Sequence, residues 1–176
     1  MAEMKEQIIY CFDTSAFLTL SRTSENVIEM PAALWEHLEA MMREGRLISH
    51  RLVYDEISSE TKNPDFITRW ISDKEAYFME MTSAQVSLVP EIIKNFPGLI
   101  DFQMEKEQAD PWLIALAVEK AKEQQLFQKN VCMVVSQENR NSTKKIPAAC
   151  KAFGVEHRSL REFFDEVGLS TILAKK

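Results

Sequence analysis

Residues 8–17 read IIYCFDTSAF: five apolar residues, an acid, a polar pair and a return to apolar residues. A short apolar run of this kind, bounded by polar residues, reads as a β-strand. Ending it on a carboxylate needs a reason. The local reason is capping: Asp13 can serve as the N-cap of a helix beginning near Ser15, a common role for aspartate.

Three further apolar stretches read as strands: residues 47–49, residues 131–135 and the neighbourhood of Val155. Helical patterns lie between them. In MPAALWEHLEAMMREG, Pro31 suits the first helical position, Leu34, Leu38 and Met41 or Met42 recur at helical spacing, and Gly45 can stop the helix. Other helices are expected over residues 51–60, 64–78, 83–95, 110–125, 147–153 and 159–167. Alternating strands and helices imply parallel pairing through crossovers, hence an α/β fold of three layers, α/β/α, around a central parallel sheet. Residues 64–95 lack strand signals and read as a helical insertion; no linker or repeat divides residues 1–176, which form a single domain.

In open parallel sheets ligands sit beyond the carboxyl ends of the strands, where loops and helix starts converge. Four acids fall at such places. Asp13 follows the first strand. Glu56 projects about 40° from the mean direction of Leu52, Val53 and Ile57 at about 100° per residue, whereas Asp55 projects about 140° away. Asp110 opens the most apolar helix, ADPWLIALAVEKAKEQQ, with Pro111 behind it. Glu138 stands just past the strand in CMVVSQEN. Each has a plain structural explanation as a cap, a boundary residue or a turn; together they describe a cluster of oxygen donors suited to hard divalent cations such as Mg²⁺ or Mn²⁺. Such ions support phosphodiester hydrolysis.

Composition narrows the alternatives. The formal charge of −6 offers no broad cationic surface, although residues 127–161 reverse the balance with seven Lys and Arg against two Glu. Cys11, Cys132 and Cys150 are odd in number and form no C-x-x-C pair, so they read as buried thiols. His37, His50 and His157 form no metal-spaced pair. A haloacid-dehalogenase-type phosphatase needs a second acid where Ser15 stands, and a dinucleotide site needs glycines that DTSAF lacks. Trp35 and Trp112 sit in apolar helical patterns and read as core. MAEMKEQ has no signal architecture and no apolar run can span a bilayer, so a cytoplasmic location is expected.

The pieces YCFDTSAF, LISHRLVYDEIS, QADPWLIALA and VVSQEN resemble the PIN-domain nucleases. LWEHLEAMMREGRLISHRLVYDEI with KKIPAACKAFGVEH is similar to a PIN-like branch known as a domain of unknown function. The resemblance implies a parallel sheet between helices and one or two Mg²⁺ or Mn²⁺ ions. It implies an RNA substrate cleaved by metal-activated water, and a toxin of the VapC type with an antitoxin and a tendency to dimerise. Asp13, Glu56 and Asp110 match its three main acids. Glu138 falls on the variable fourth position with Ser136 before it, and Asn139 is the alternative there. Thr14 and Ser15 are then candidates for local hydrogen bonding that leaves Asp13 to the ion, and Arg140, Lys144 and Lys145 for contact with RNA phosphates. The rival class is a PIN-fold binding module, for RNA or protein, that lacks activity.

Overall fold

The computed structural model describes residues 5–25, 32–59, 66–125, 128–139 and 141–170. Strand β1 (Lys5–Phe12) leads into helices α1 (Thr14–Glu25) and α2 (Ala32–Arg43), and β2 (Leu47–His50) into α3 (Arg51–Ser58) and α4 (Phe66–Ile71). A two-residue β3 (Phe78–Met79) precedes α5 (Ser83–Asn95) and α6 (Ala109–Lys122). Then come β4 (Gln124–Gln125), β5 (Gln128–Val135), α7 (Ile146–Ala152), β6 (Glu156–Arg158) and α8 (Leu160–Glu166).

The sheet runs β3-β2-β1-β5, and the outer side of β5 is shared by β4 and β6. β1 pairs in parallel with β5 along its full length, Lys5 opposite Gln128 through Phe12 opposite Val135, and with β2 at Tyr10 and Cys11. Parallel neighbours need a crossover, and the helices supply it. β1 is therefore central, and its inner half is buried on both faces. Tyr10 and Phe12 meet Phe163 of α8 edge-on at 4.8 Å each, and Phe12 meets Phe17 of α1 at 5.3 Å. Cys11, on the opposite face, lies near Cys132 and Cys150 of α7. The three layers follow from this alternation.

Helix α6 buries every residue from Pro111 to Val118, without the usual polar stripe. It packs against β5 and also touches β1, β2, α3, α5 and α7, so it is the hub of its layer. Replacing Leu113 by Ala would cost about 2–5 kcal/mol through lost transfer energy and the cavity left behind. Gly45 ends the α2 turn at φ +68°, a left-handed conformation that glycine adopts without a Cβ penalty. Trp35 and Trp112 are buried, as are the three free cysteines.

The structure departs from the sequence reading in three places. Residues 78–79 form β3, pairing in parallel with Ser49 and His50, where a strandless helical insertion was expected. Two residues are too few to show a period; Phe78 is drawn in by the rings of Phe17 and Tyr54 at 5.8 and 5.2 Å. The helix expected over residues 64–78 is α4 followed by a short 3₁₀ turn at Glu75–Tyr77, and residues 64 and 65 lie outside the described residues, as do Pro31 and Glu60. The helix expected to reach residue 125 ends at Lys122, and Gln124–Gln125 pairs antiparallel with the start of β5. No helix among the described residues is long and apolar enough to cross a membrane.

Candidate active site at the carboxyl edge of the sheet

The carboxyl end of β1 is held from both sides. The Asp13 amide donates to the Val135 carbonyl at 3.0 Å, and the Ser49 hydroxyl donates to the Phe12 carbonyl at 2.6 Å. Asp13 thus sits in the sheet's central notch, between the ends of β2 and β5, and only 4% of it reaches solvent.

Its two carboxylate oxygens have different surroundings. Oδ2 accepts from the Ser15 amide at 3.1 Å and the Ser15 hydroxyl at 2.5 Å, which is the capping arrangement the sequence suggests. Oδ1 is sealed from solvent and has no hydrogen-bond partner. A buried, unpaired carboxylate oxygen costs free energy unless a proton or a cation reaches it. Burial pushes the Asp13 carboxyl up to about 6, against the pull of the Ser15 and Thr14 hydrogen bonds and with the help of the Glu56 charge.

Thr14 departs from the expected local role: its hydroxyl donates across 42 positions to Glu56 Oε2, at 2.5 Å. The other Glu56 oxygen, Oε1, accepts from the Ala109 amide at 3.1 Å, the first residue of α6. Glu56 is half-buried and turned inward, while Asp55 pairs with Arg51 on the surface at 3.1 Å. Asp110 stands in the first turn of α6. Burial, then the charges of Asp13, Glu138 and Glu56, pushes its carboxyl up to about 8, with Lys145 acting the other way. That these three acids all raise Asp110 places the four in one electrostatic neighbourhood.

Glu138 is half-buried and its Oε2 accepts from the Ile146 amide at 2.7 Å, at the start of α7. Lys145 Nζ lies 3.9 Å from the other oxygen. Asn139 is exposed and its side chain accepts from the Asn141 amide at 2.9 Å, closing a local turn. Geometry therefore brings Glu138 to the cluster and leaves Asn139 at the surface. Ser136 is fully buried, and its hydroxyl accepts from the Glu138 amide at 3.4 Å and meets His157 Nε2 at 2.8 Å. Ser15 Oγ also accepts from the Gln137 amide at 3.0 Å, tying the first turn of α1 to the loop that carries Glu138.

Sequence reasoning missed His157, Ala109 and Cys150. The first two touch site residues only through the tertiary fold, and the Cys150 thiol is raised by burial and by Glu138 and Asp13. Nothing in the spacing of these residues announces that role. Lys144 and Lys145 are exposed beside the cluster, and Arg140 lies outside the described residues.

As the side chains stand, no three Asp, Glu, His or Cys among the described residues close on a point where an ion could be held. The donor chemistry nevertheless fits a hard divalent cation. All four groups are carboxylates, one oxygen of Asp13 is buried without a partner, and two of the acids hold protons more tightly than usual because burial and neighbouring like charges disfavour their ionised forms.

The strand order and the layers fit a three-layer α/β/α fold of the PIN-like kind. A chain of VapBC2 from Rickettsia felis, in its complex with a DNA fragment from the promoter, shares the fold with a TM-score of 0.50. The match has 9% identity and covers 86% of this chain and 98% of that one. The chain belongs to the family described as domain of unknown function DUF4411, which matches residues 10–171. No curated protein matches the sequence.

Proposed function

We propose that this protein is a Mg²⁺- or Mn²⁺-dependent endoribonuclease. The observation that carries the reading is Asp13: a carboxylate at the central notch of the sheet, sealed from solvent, with one oxygen left unpaired and Asp110 in its field. Asp13, Asp110 and Glu56 would hold the ion, with Glu138 as the fourth acid. Bound there, the ion would supply a water of lowered pKa and charge neutralisation at the phosphoryl group. The residues of the chain do the rest. Ser15 holds Asp13 by two hydrogen bonds so that Oδ1 is the oxygen presented. Thr14 and the Ala109 amide fix both Glu56 oxygens, so Glu56 must rotate or share them to bind directly. Lys144 and Lys145, at the rim, would meet RNA phosphates.

The likeness to a chain of VapBC2 supports a role beside a partner protein; our reading of the molecule is the toxin of a cytoplasmic toxin–antitoxin pair, with a homodimer as the assembly to test. The test incubates the purified protein with structured and single-stranded RNAs, with Mn²⁺ and with chelator. Cleavage that needs Mn²⁺ and disappears in Asp13→Asn supports the reading. Absence of metal-dependent cleavage at high protein concentration overturns it in favour of a binding module that keeps the fold, a reading to which the full engagement of Glu56 lends weight.

A further inference from the structure

His50 closes β2, is completely buried and is engaged on both ring nitrogens. Its Nδ1 accepts from the Leu52 amide at 3.1 Å, which caps α3, the helix that carries Glu56. Because Nδ1 is an acceptor, the ring proton sits on Nε2, 3.1 Å from Gln85 Oε1. The Gln85 amide nitrogen donates to Glu119 Oε2 at 2.6 Å, and the Thr82 hydroxyl donates to Glu119 Oε1 at 2.8 Å. The imidazole also stacks on Trp112, two residues beyond Asp110, with centroids 5.7 Å apart and planes at 30°.

Every link in this chain has a defined donor and acceptor. It runs from the N-terminus of α3 through α5 to α6. The same two helices, α3 and α6, meet again where Glu56 accepts from Ala109. An ionised Asp110, the form that holds a cation, would be repelled by Glu56, so the helices that bear them gain from a tie of their own. A satisfied buried network is directional and stiff, which apolar packing alone is not.

We infer that His50 is a positioning residue: through Gln85, Glu119 and Trp112 it sets α3 against α6 and thereby the approach of Glu56 to Asp110 that a divalent ion requires. This rests on the reading of the four acids as a metal site. Asparagine is the informative substitution, because its side chain is among the best N-caps but is too short to sustain the bond to Gln85. Gln85→Met cuts the same chain from the other side.

The test measures Mn²⁺ affinity from the signal of free Mn²⁺ in electron paramagnetic resonance, for wild type, His50→Asn, Gln85→Met and the double variant, with melting temperatures in chelator alongside. Each single change should weaken Mn²⁺ binding about tenfold, as removal of outer hydrogen-bond partners does at metal sites. The double variant should be no weaker than the worse single one, since one chain is cut twice. His50→Asn should melt within a few degrees of wild type; if it does not fold, Gln85→Met carries the test. Wild-type Mn²⁺ affinity in the folded variants, or effects that simply add, overturns the inference and leaves the metal reading intact. A wild-type protein that binds no Mn²⁺ overturns the metal reading and this inference with it.

Discussion

Replacing Asp110 by Asn should stabilise the metal-free protein while weakening its response to metal. The carboxyl of Asp110 is raised from 3.8 to about 8 by burial and by Asp13, Glu138 and Glu56. At pH 7 the unfolded chain ionises this acid and the folded chain keeps its proton, a difference of about 4 kcal/mol against folding. The sign follows from the raised pKa: the folded state is favoured below about pH 4, and that advantage is lost as pH climbs through about 8. Asparagine removes the penalty. It also leaves a buried amide to be paired, about 1–3 kcal/mol. The gain left over is about 1–3 kcal/mol, or about 3–9 °C in melting temperature for a chain of this length. Calorimetry in chelator between pH 4 and 8 should find Asp110→Asn melting higher than wild type at pH 7 and depending less on pH. In millimolar Mn²⁺ the order should narrow or reverse, because only the intact site gains stability by binding. A variant that melts no higher than wild type in chelator would refute the claim that burial and the neighbouring acids hold a proton on Asp110, and equal gains in Mn²⁺ would refute Asp110 as a ligand.

Asp13→Asn should abolish Mn²⁺-dependent cleavage with little loss of fold, because the amide can still accept from Ser15; full activity in a gel assay would remove Asp13 from the centre of the mechanism. Neutralising Lys144 and Lys145 together should flatten the dependence of log binding constant on log salt, by about 0.7 for each phosphate of a single-stranded RNA that the two lysines neutralise; an unchanged slope places RNA elsewhere. Gly98→Ala should destabilise by about 1–3 kcal/mol, since overpacking forces the backbone to move. Its new Cβ would stand 3.0 Å from the Lys144 carbonyl oxygen, so the loop beside Glu138 must shift. Chemical denaturation that finds no change would mean that the chain gives way there freely. His50, whose pKa burial lowers against the pull of Gln85, Glu80, Asp55 and Glu119, should add stability above about pH 6.5 that is lost as the pH falls further. Comparing acid melts of wild type and His50→Asn checks it.

Much of the site was legible because strand ends and helix starts are local features. An apolar run stopped by Asp13, an acid on the inward side of α3 and an acid at the head of the most apolar helix can each be read within a dozen residues. The helical direction of Glu56 and the outward turn of Asp55 follow from 3.6-residue periodicity alone. β3 escaped because two residues carry no period, and its pairing depends on rings of Phe17 and Tyr54 far away in the chain.

What the sequence by itself determined was the alternation of elements, and with it a parallel sheet whose carboxyl edge collects acids. Which acid oxygens are engaged was decided only in three dimensions. Thr14 reaches Glu56 across 42 positions, Ala109 donates to the same group, and the Asp13 oxygen that the local cap leaves free is buried without a partner. The inward placement of Glu138 and the chain from His50 to Glu119 belong to the same class. Hydrogen bonds between remote segments depend on distances that only packing sets, whereas a cap or an amphipathic face depends on its neighbours in the chain.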